Sequence, residues 1–287
     1  MTASFATAAP RPRPKFLPEH PLLLIGGVLV AAQVALAFLA PLIAPYDPTA
    51  QSVLDRLQGP SLSFWLGTDQ FGRDTLSRIL WGYRASFLIS LGSVVLALGL
   101  GGSLGVIAAY YRGWTERVIM RIMDLIFAFP IILLAIGIIS ILGPQAWTTA
   151  IAIGIVYVPT FARLLRGPAL VIAESEFVLA ARSLGAGDGR ILLVHIVPNL
   201  ASVILVQASL SLSTAILVEA SLSFLGIGTQ PPTPSLGLML SEGRSFLLLS
   251  PWTTVFSGFA ILLASFGFNL LGDALRDSLD PRLRGAP

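Results

Sequence analysis

Apolar residues in this chain come in runs too long for strands or for one stripe of a surface helix. Six stretches are long enough to cross a bilayer: residues 22–44, 85–111, 118–142, 146–165, 199–227 and 252–275. A span needs roughly 20 mostly apolar residues, because the hydrocarbon core is about 30 Å thick. Pro130 interrupts the third stretch and Pro159 lies near the end of the fourth. Prolines are tolerated inside spans where neighbouring helices satisfy the freed carbonyls. In the second stretch Gly101 and Gly105 form a small-xxx-small pair, which predicts close approach by another helix.

The polar segments between these runs differ in character. Residues 1–21 are Pro-rich and basic (Arg11, Arg13, Lys15) and read as a flexible tail. The first apolar run starts late and is long enough to span, so a cleavable signal peptide is not expected. Residues 45–84 form a loop that ends in an amphipathic piece. After Asp74, Leu76, Ile79, Leu80 and Tyr83 recur at helical spacing with Arg78 and Arg84 off that face, which predicts a short helix on the membrane surface. Residues 85–275 form the core, and residues 276–287 a second tail.

The longest polar interruption of that core, residues 166–198, predicts two short helices and a hinge. Phe177, Ala180, Ala181 and Leu184 make an apolar stripe at helical spacing. Gly185, Gly187 and Gly189 break the helix, with Gly185 placed as its C-terminal cap. An apolar segment restarts at Ile191, and Pro198 is expected to turn the chain into the fifth span. Arg182, Asp188 and Arg190 supply polar edges. Two readings of this loop stand: a docking surface for a partner, or an ordinary loop hugging the bilayer.

Composition supports the membrane reading. The chain has 287 residues, 55% hydrophobic and only 11% charged, where soluble domains carry roughly 25% charged residues. The net charge of +3 is almost all arginine, since Lys15 is the only lysine. With a cytoplasmic N-terminus, the inner segments gather Arg112, Arg117, Arg121, Arg163, Arg166, Arg182 and Arg190, and the outer ones Arg56, Arg73, Arg78, Arg84 and Arg244. That excess on one side predicts six spans with both termini cytoplasmic. Basic residues confined to span ends argue against nucleic-acid binding.

At the 166–198 loop the chain resembles the inner-membrane permease subunits of ATP-binding-cassette (ABC) importers. Their signature is Glu-Ala-Ala, three residues, Gly, nine residues, then Ile-x-Leu-Pro. Here Leu179-Ala180-Ala181, Gly185, His195-Ile196-Val197 and Pro198 fall on that spacing, with Leu179, His195 and Val197 as departures. Arg182, Leu184, Gly185, His195, Ile196, Pro198 and Asn199 match the form common in the peptide and nickel branch. Leu66 to Asp74, Glu219 to Gly226, Pro231-Pro232 with Gly237, Phe268 to Asp273 and Leu279 to Arg282 resemble the same branch, in the same order. Leu236 stands where the branch usually has Trp, and Ser257 where Pro often precedes Gly258. The match resembles the "C" type of the two paired permeases of dipeptide and oligopeptide importers.

The resemblance implies an all-α membrane protein with the type I importer permease fold, in the cytoplasmic (inner) membrane. It implies a heterodimer with a second permease, two ABC ATPases at the cytoplasmic face and an extracytoplasmic solute-binding protein. ATP and Mg would be bound by the ATPases, and no cofactor or metal is expected in this chain. A phosphate-binding loop needs Gly-Lys-Ser/Thr, and Lys15 lies in the Pro-rich tail. Coupling is assigned to Ala180, Ala181, Arg182, Leu184, Gly185, Asp188, Arg190, His195 and Pro198. The favoured substrate is a di- or oligopeptide, with nickel chelates, glutathione-like peptides and other small solutes open.

Several residues carry two readings each. Intramembrane carboxylates are costly and functional by default. Glu219, with Ser223 and Phe224, is read as a translocation path or gate, against a buried structural pair. Asp124 lies one turn from Arg121 and is read as its structural partner. His195 is read as a structural hydrogen-bonder rather than a proton switch. The outer loop of Asp69, Gln70, Arg73 and Asp74 is read as contacting a partner, with Arg73 salt-bridged to Asp69 or Asp74.

Rival classes fit less well. A zinc protease needs His-Glu-x-x-His, and the two histidines, His20 and His195, are far apart. A self-sufficient carrier needs a polar path or inverted repeats, and the spans are poor in charge. A scaffold leaves the 166–198 loop unexplained. Liposomes holding the purified chain alone are therefore expected to take up no dipeptide. Uptake without ATP or partners would favour the carrier.

Overall fold

In a computed structural model, residues 21–279 are described; the 1–20 tail and the Asp280–Arg282 motif lie outside them. The described residues are helical throughout, apart from loops and one isolated bridge between Thr68 and Asp74. The helices are α1 (Pro21–Ile43), α2 (Thr75–Tyr111), α3 (Gly113–Phe127), α4 (Ile131–Leu142), α5 (Ala146–Ala173), α6 (Glu176–Ser183), α7 (Asp188–Phe224), α8 (Leu236–Arg244) and α9 (Trp252–Leu279). Five are long and apolar enough to cross a membrane, and α3 with α4 makes a sixth if that bent pair is one span.

Three sequence expectations change. The surface helix foreseen at 74–84 and the span foreseen at 85–111 are one helix, α2. At 37 residues it is roughly 55 Å long, well beyond the hydrocarbon thickness, so its first turns extend into the loop that precedes it. There Ile79 and Tyr83 are buried in the bundle and Arg78 is fully buried. The foreseen third span is two helices meeting at 91° across Pro130. Proline lacks the N–H and disfavours helix at the preceding residue, so the break falls there. Pro198 does not start a new helix. The chain runs as α7 from Asp188, through a stretch of π-helix at Ile191–Ile196 and a 3-10 turn at Val197–Leu200. The Val197 N–H bonds the Leu192 carbonyl, five residues back. Widening the helix there accommodates the donor that Pro198 lacks.

The bundle packs through small residues. A Cβ at Gly101 or Gly105 would fall on the backbone carbonyl of Val158 or Ala162, so the small-xxx-small pair is where α2 meets α5. On the other flank Gln33 of α1 donates to the Leu263 carbonyl at 2.6 Å and accepts from the Tyr83 hydroxyl at 3.0 Å. One side chain thus ties α1 to α9 and α2. Phe87 stacks on Phe268 at 5.9 Å within the core shared by α1, α2, α7, α8 and α9. A second core joins α2, α4, α5 and α7. A third, of Val106, Ala109, Leu165, Val178, Ile191 and Ile196 among others, gathers the ends of α2 and α5 under α6 and the start of α7. Leu24, Val28 and Phe38 of α1 and Leu133 and Ile141 of α4 stay exposed on the flanks, as lipid-facing or partner-facing helices must.

The Gly105 contact generates a prediction. Gly105→Ala is expected to cost about 1–3 kcal/mol by overpacking, lowering the melting temperature in detergent. Gly99→Ala, with nothing within 4 Å, should leave it unchanged. Equal melting temperatures would remove this contact from the account.

Candidate functional site

Polar and irregular structure collects at the two ends of the bundle. At one end, residues 44–74 fold over the start of α2, beside α8. Gly67 and Gly72 have φ of +76° and +74°, and a Cβ at either would strike the backbone of Gln58 or Ser52. These two turns aim Asp69 inward. Its Oδ2 accepts from Arg73 Nε at 2.6 Å and pairs with Arg78 Nη1. Glu242 of α8 pairs with both arginines, at 3.0 Å from Arg73 and 3.1 Å from Arg78. Two cations and two anions balance inside a nearly dry site, where removing one partner would strand a charge. Asp74 caps α2, accepting from the Ser77 N–H at 2.8 Å and hydroxyl at 2.7 Å.

Asp69, Gln70, Arg73 and Asp74, the outer-loop residues read as contacting a partner, are turned by this arrangement toward their own chain. All four are buried within the chain itself, and the Arg73–Asp69 pair is present. The loop exposes the large apolar residues Leu54, Leu62 and Trp65 among its polar ones. Sequence reasoning missed Glu242 as a partner, because 169 residues separate it from Arg73.

Glu219 and Ser223 sit near the same end of α7 and are fully buried. Ser223 Oγ donates to Glu219 Oε1 at 2.7 Å, and the Thr229 N–H donates to Ser223 Oγ at 3.2 Å. In this conformation they face their own chain and do not line an open path. Phe224 is half-buried beneath the Arg244 guanidinium, 5.3 Å away.

The opposite end carries the predicted loop. Ser175 precedes α6, and the helix closes with a paired-bond C-terminal cap. The Ala186 N–H bonds the Ala181 carbonyl at 3.1 Å and the Gly185 N–H bonds that of Arg182 at 3.0 Å. Gly185 supplies the left-handed φ of +82° that this cap requires. Val178 is the anchor, fully buried against Ile191 and Ile196. The stripe of Phe177, Ala180, Ala181 and Leu184 therefore turns outward: Phe177 is 47% and Leu184 88% exposed. Arg182, Asp188, Arg190 and Pro198 are exposed as well, and His195 is half-buried. The His195 ring lies 6.4 Å from Phe177, and its backbone carbonyl accepts from Asn199 Nδ2 at 2.6 Å. The hydrogen bond at this position is thus made by the main chain.

Between the ends, the charges of α3 pair with α5. Asp124 bonds Arg163 rather than the foreseen Arg121, and Glu116 accepts from Arg166 Nε at 2.6 Å. Arg163 also lies 4.4 Å over Phe127. Tyr110 and Tyr111, which sequence reasoning passed over, border the loop together with Glu174. Aromatic residues at a span end read first as interfacial anchors, which hid the two tyrosines.

Residues 101–285 match the family described as binding-protein-dependent transport system inner membrane component. The chain belongs to that family. Residues 17–60 match the N-terminal TM domain of oligopeptide transport permease C. The chain is 45% identical over 270 residues to the dipeptide transport system permease protein DppC of Alkalihalophilus pseudofirmus, covering 94% of this chain and 89% of that one. It is 45% identical over 271 residues to the glutathione transport system permease protein GsiD of Pectobacterium atrosepticum, covering 94% and 90%. A chain of the MetNI methionine ABC transporter, in an inward-facing conformation, superposes with a TM-score of 0.58 at 15% identity, over 71% of this chain and 97% of that one; it shares the fold. This permease is a multi-pass inner-membrane component of an ABC importer and is not itself the ATPase. ATPase and binding-protein partners follow from membership.

In this permease Gly185→Val would force a β-branched residue to positive φ, costing roughly 1–2 kcal/mol. Membrane insertion should persist, while ATP hydrolysis no longer drives uptake. Normal uptake per ATP in proteoliposomes would remove the hinge.

Proposed function

We propose that this permease pairs with a sister permease to form the translocation pathway of a di- or oligopeptide importer, with two ATPases docked at the α6 loop. One observation carries the docking reading: α6 presents an uncovered apolar face while Val178 and the Gly185 cap hold the helix rigidly beneath it. An apolar face beside polar edges suits a protein partner better than water. Ala180 and Ala181 allow close approach, and Arg182 and Arg190 frame the patch. On this reading the loop faces the cytoplasm, as the arginine distribution expects. ATP-driven closure of the ATPases then moves α6, and the spans switch between inward-facing and outward-facing arrangements.

The substrate class rests on relatives named for dipeptide and glutathione transport. Both solutes are short peptides with free carboxylates. Glu219, Ser223 and Phe224 act as a gate rather than a path lining. The Thr229 N–H bond to Ser223 fastens the end of α7 to the 225–235 loop and the Arg244 contact of Phe224 holds it to α8, and opening the pathway requires that fastening to yield.

Co-purification from the native membrane in mild detergent tests the docking reading. A second permease and ATPases are expected with the parent chain, and Leu184→Asp should lose the ATPases but keep the sister permease. ATPases retained by Leu184→Asp, or absent from the parent, would contradict docking at α6.

A further inference from the structure

The last two residues of α2 and the turn residue after them reach both ends of the α6 loop. Tyr110 and Tyr111 donate their hydroxyls to the two oxygens of Asp188, at 2.7 Å and 3.1 Å. Arg112 pairs with Glu174 at 2.7 Å. Glu174 closes α5 just before the loop, and Asp188 opens α7 just after it. A fourth contact comes from α6 itself: the Arg182 guanidinium lies 5.2 Å over the Tyr110 ring. Tyr110 and Tyr111 meet edge to face at 5.1 Å, so the two hydroxyls converge on one carboxylate.

This convergence has a mechanical consequence. Gly185 and Gly187 lie between α6 and α7 and Gly189 in the first turn of α7, and a Cβ at each would meet nothing within 4 Å. Glycines without packed neighbours make this junction, beyond the Gly185 cap, the easiest place for the chain to bend, so a push on α6 would be absorbed there if the loop were held only by its chain. The contacts of Tyr110, Tyr111 and Arg112 bypass the glycines. They connect the loop to α2, which runs through the bundle to the Arg78 charge cluster at its other end.

We propose that Tyr110, Tyr111 and Arg112 are positioning residues that clasp both ends of the α6 loop, so that α6 and the end of α2 move as one body when the ATPases close. The clasp rests on the docking reading of α6. Each contact alone is a solvent-facing bond of modest strength. The third apolar core beneath them, with Val106 and Ala109 of α2 against Ile191 and Ile196 of α7, supplies the cohesion. The clasp supplies direction, coupling α6 to α2 in particular.

The chain has no cysteine, so spin labels can be placed at will in the complete complex in nanodiscs, with partner cysteines removed. Labels at Ser103→Cys on α2 and Ser183→Cys on α6 report the distance across the clasp, without nucleotide and with ATP and vanadate. The parent complex is expected to give one distance, unchanged between the two states to within about 2 Å, the scale of ordinary helix shifts. Asp188→Ala should match the parent without nucleotide but broaden or shift by more than that with ATP and vanadate. Asp188→Asn keeps an acceptor for one tyrosine and a donor for the other, and should restore the parent pattern. A purely structural role would alter the nucleotide-free state as well, and that result overturns the proposal. So does a parent distance that already shifts with nucleotide, or an Asp188→Ala distance that does not. Those outcomes fail the clasp while docking stands; a parent complex that binds no ATPase fails both.

Discussion

Polar groups buried away from water must find their partners within the chain, so each buried irregular segment must close on its own hydrogen bonds and charges. The cluster of Asp69, Arg73, Arg78 and Glu242 is the strongest expression of that constraint. Two arginines and two carboxylates cancel in a site that water barely reaches. The cluster fixes the 44–74 loop, seats α8 and sets the start of α2. Because α2 runs unbroken from there to Tyr111, its other end is positioned as well, and with it the border of the α6 loop. That loop closes on its own hydrogen bonds as well, the Gly185 cap satisfying the last carbonyls of α6 before the chain turns.

Packing between spans follows from lipid as solvent. Apolar side chains gain little by leaving lipid for one another, so helices associate where their backbones approach closely. Gly101 and Gly105 place α2 directly on the carbonyls of α5, and Gly237 brings α8 onto Ala220 of α7. Gln33 adds a polar tie at a depth where its amide has few other partners. The bundle is therefore cohesive in its interior, and the exposed apolar surface lies on its flanks and on α6.

Much of this was legible in the sequence because span length and glycine spacing are local signals. The runs at 22–44 and 252–275 fall within one to four residues of α1 and α9, and the role of Gly185 follows from its place after an apolar stripe. Other features were hidden for physical reasons. The periodicity of Leu76, Ile79, Leu80 and Tyr83 is the same on a surface helix and on the first turns of a long span, and only tertiary burial separates them. The partner of Asp124 looked to be its sequence neighbour Arg121, yet Arg163, 39 residues away, takes it. The stripe containing Phe177 and Leu184 left two readings open, because periodicity groups those residues on one face without saying what that face meets; in the fold Val178 anchors the helix and the stripe points outward. That orientation matters most, because an outward apolar stripe is what a docking helix needs and what a loop resting on its own protein lacks.

The central claim is that the outward face of α6 is covered by the ATPase partners. The most direct measurement is the rate at which a membrane-impermeant maleimide modifies a single Leu184→Cys thiol in inside-out vesicles, with the ATPases present and after their removal. Protection of several-fold by the ATPases, with a control at Gly113→Cys unaffected, is the predicted result. Equal rates at Leu184→Cys in both preparations would contradict it.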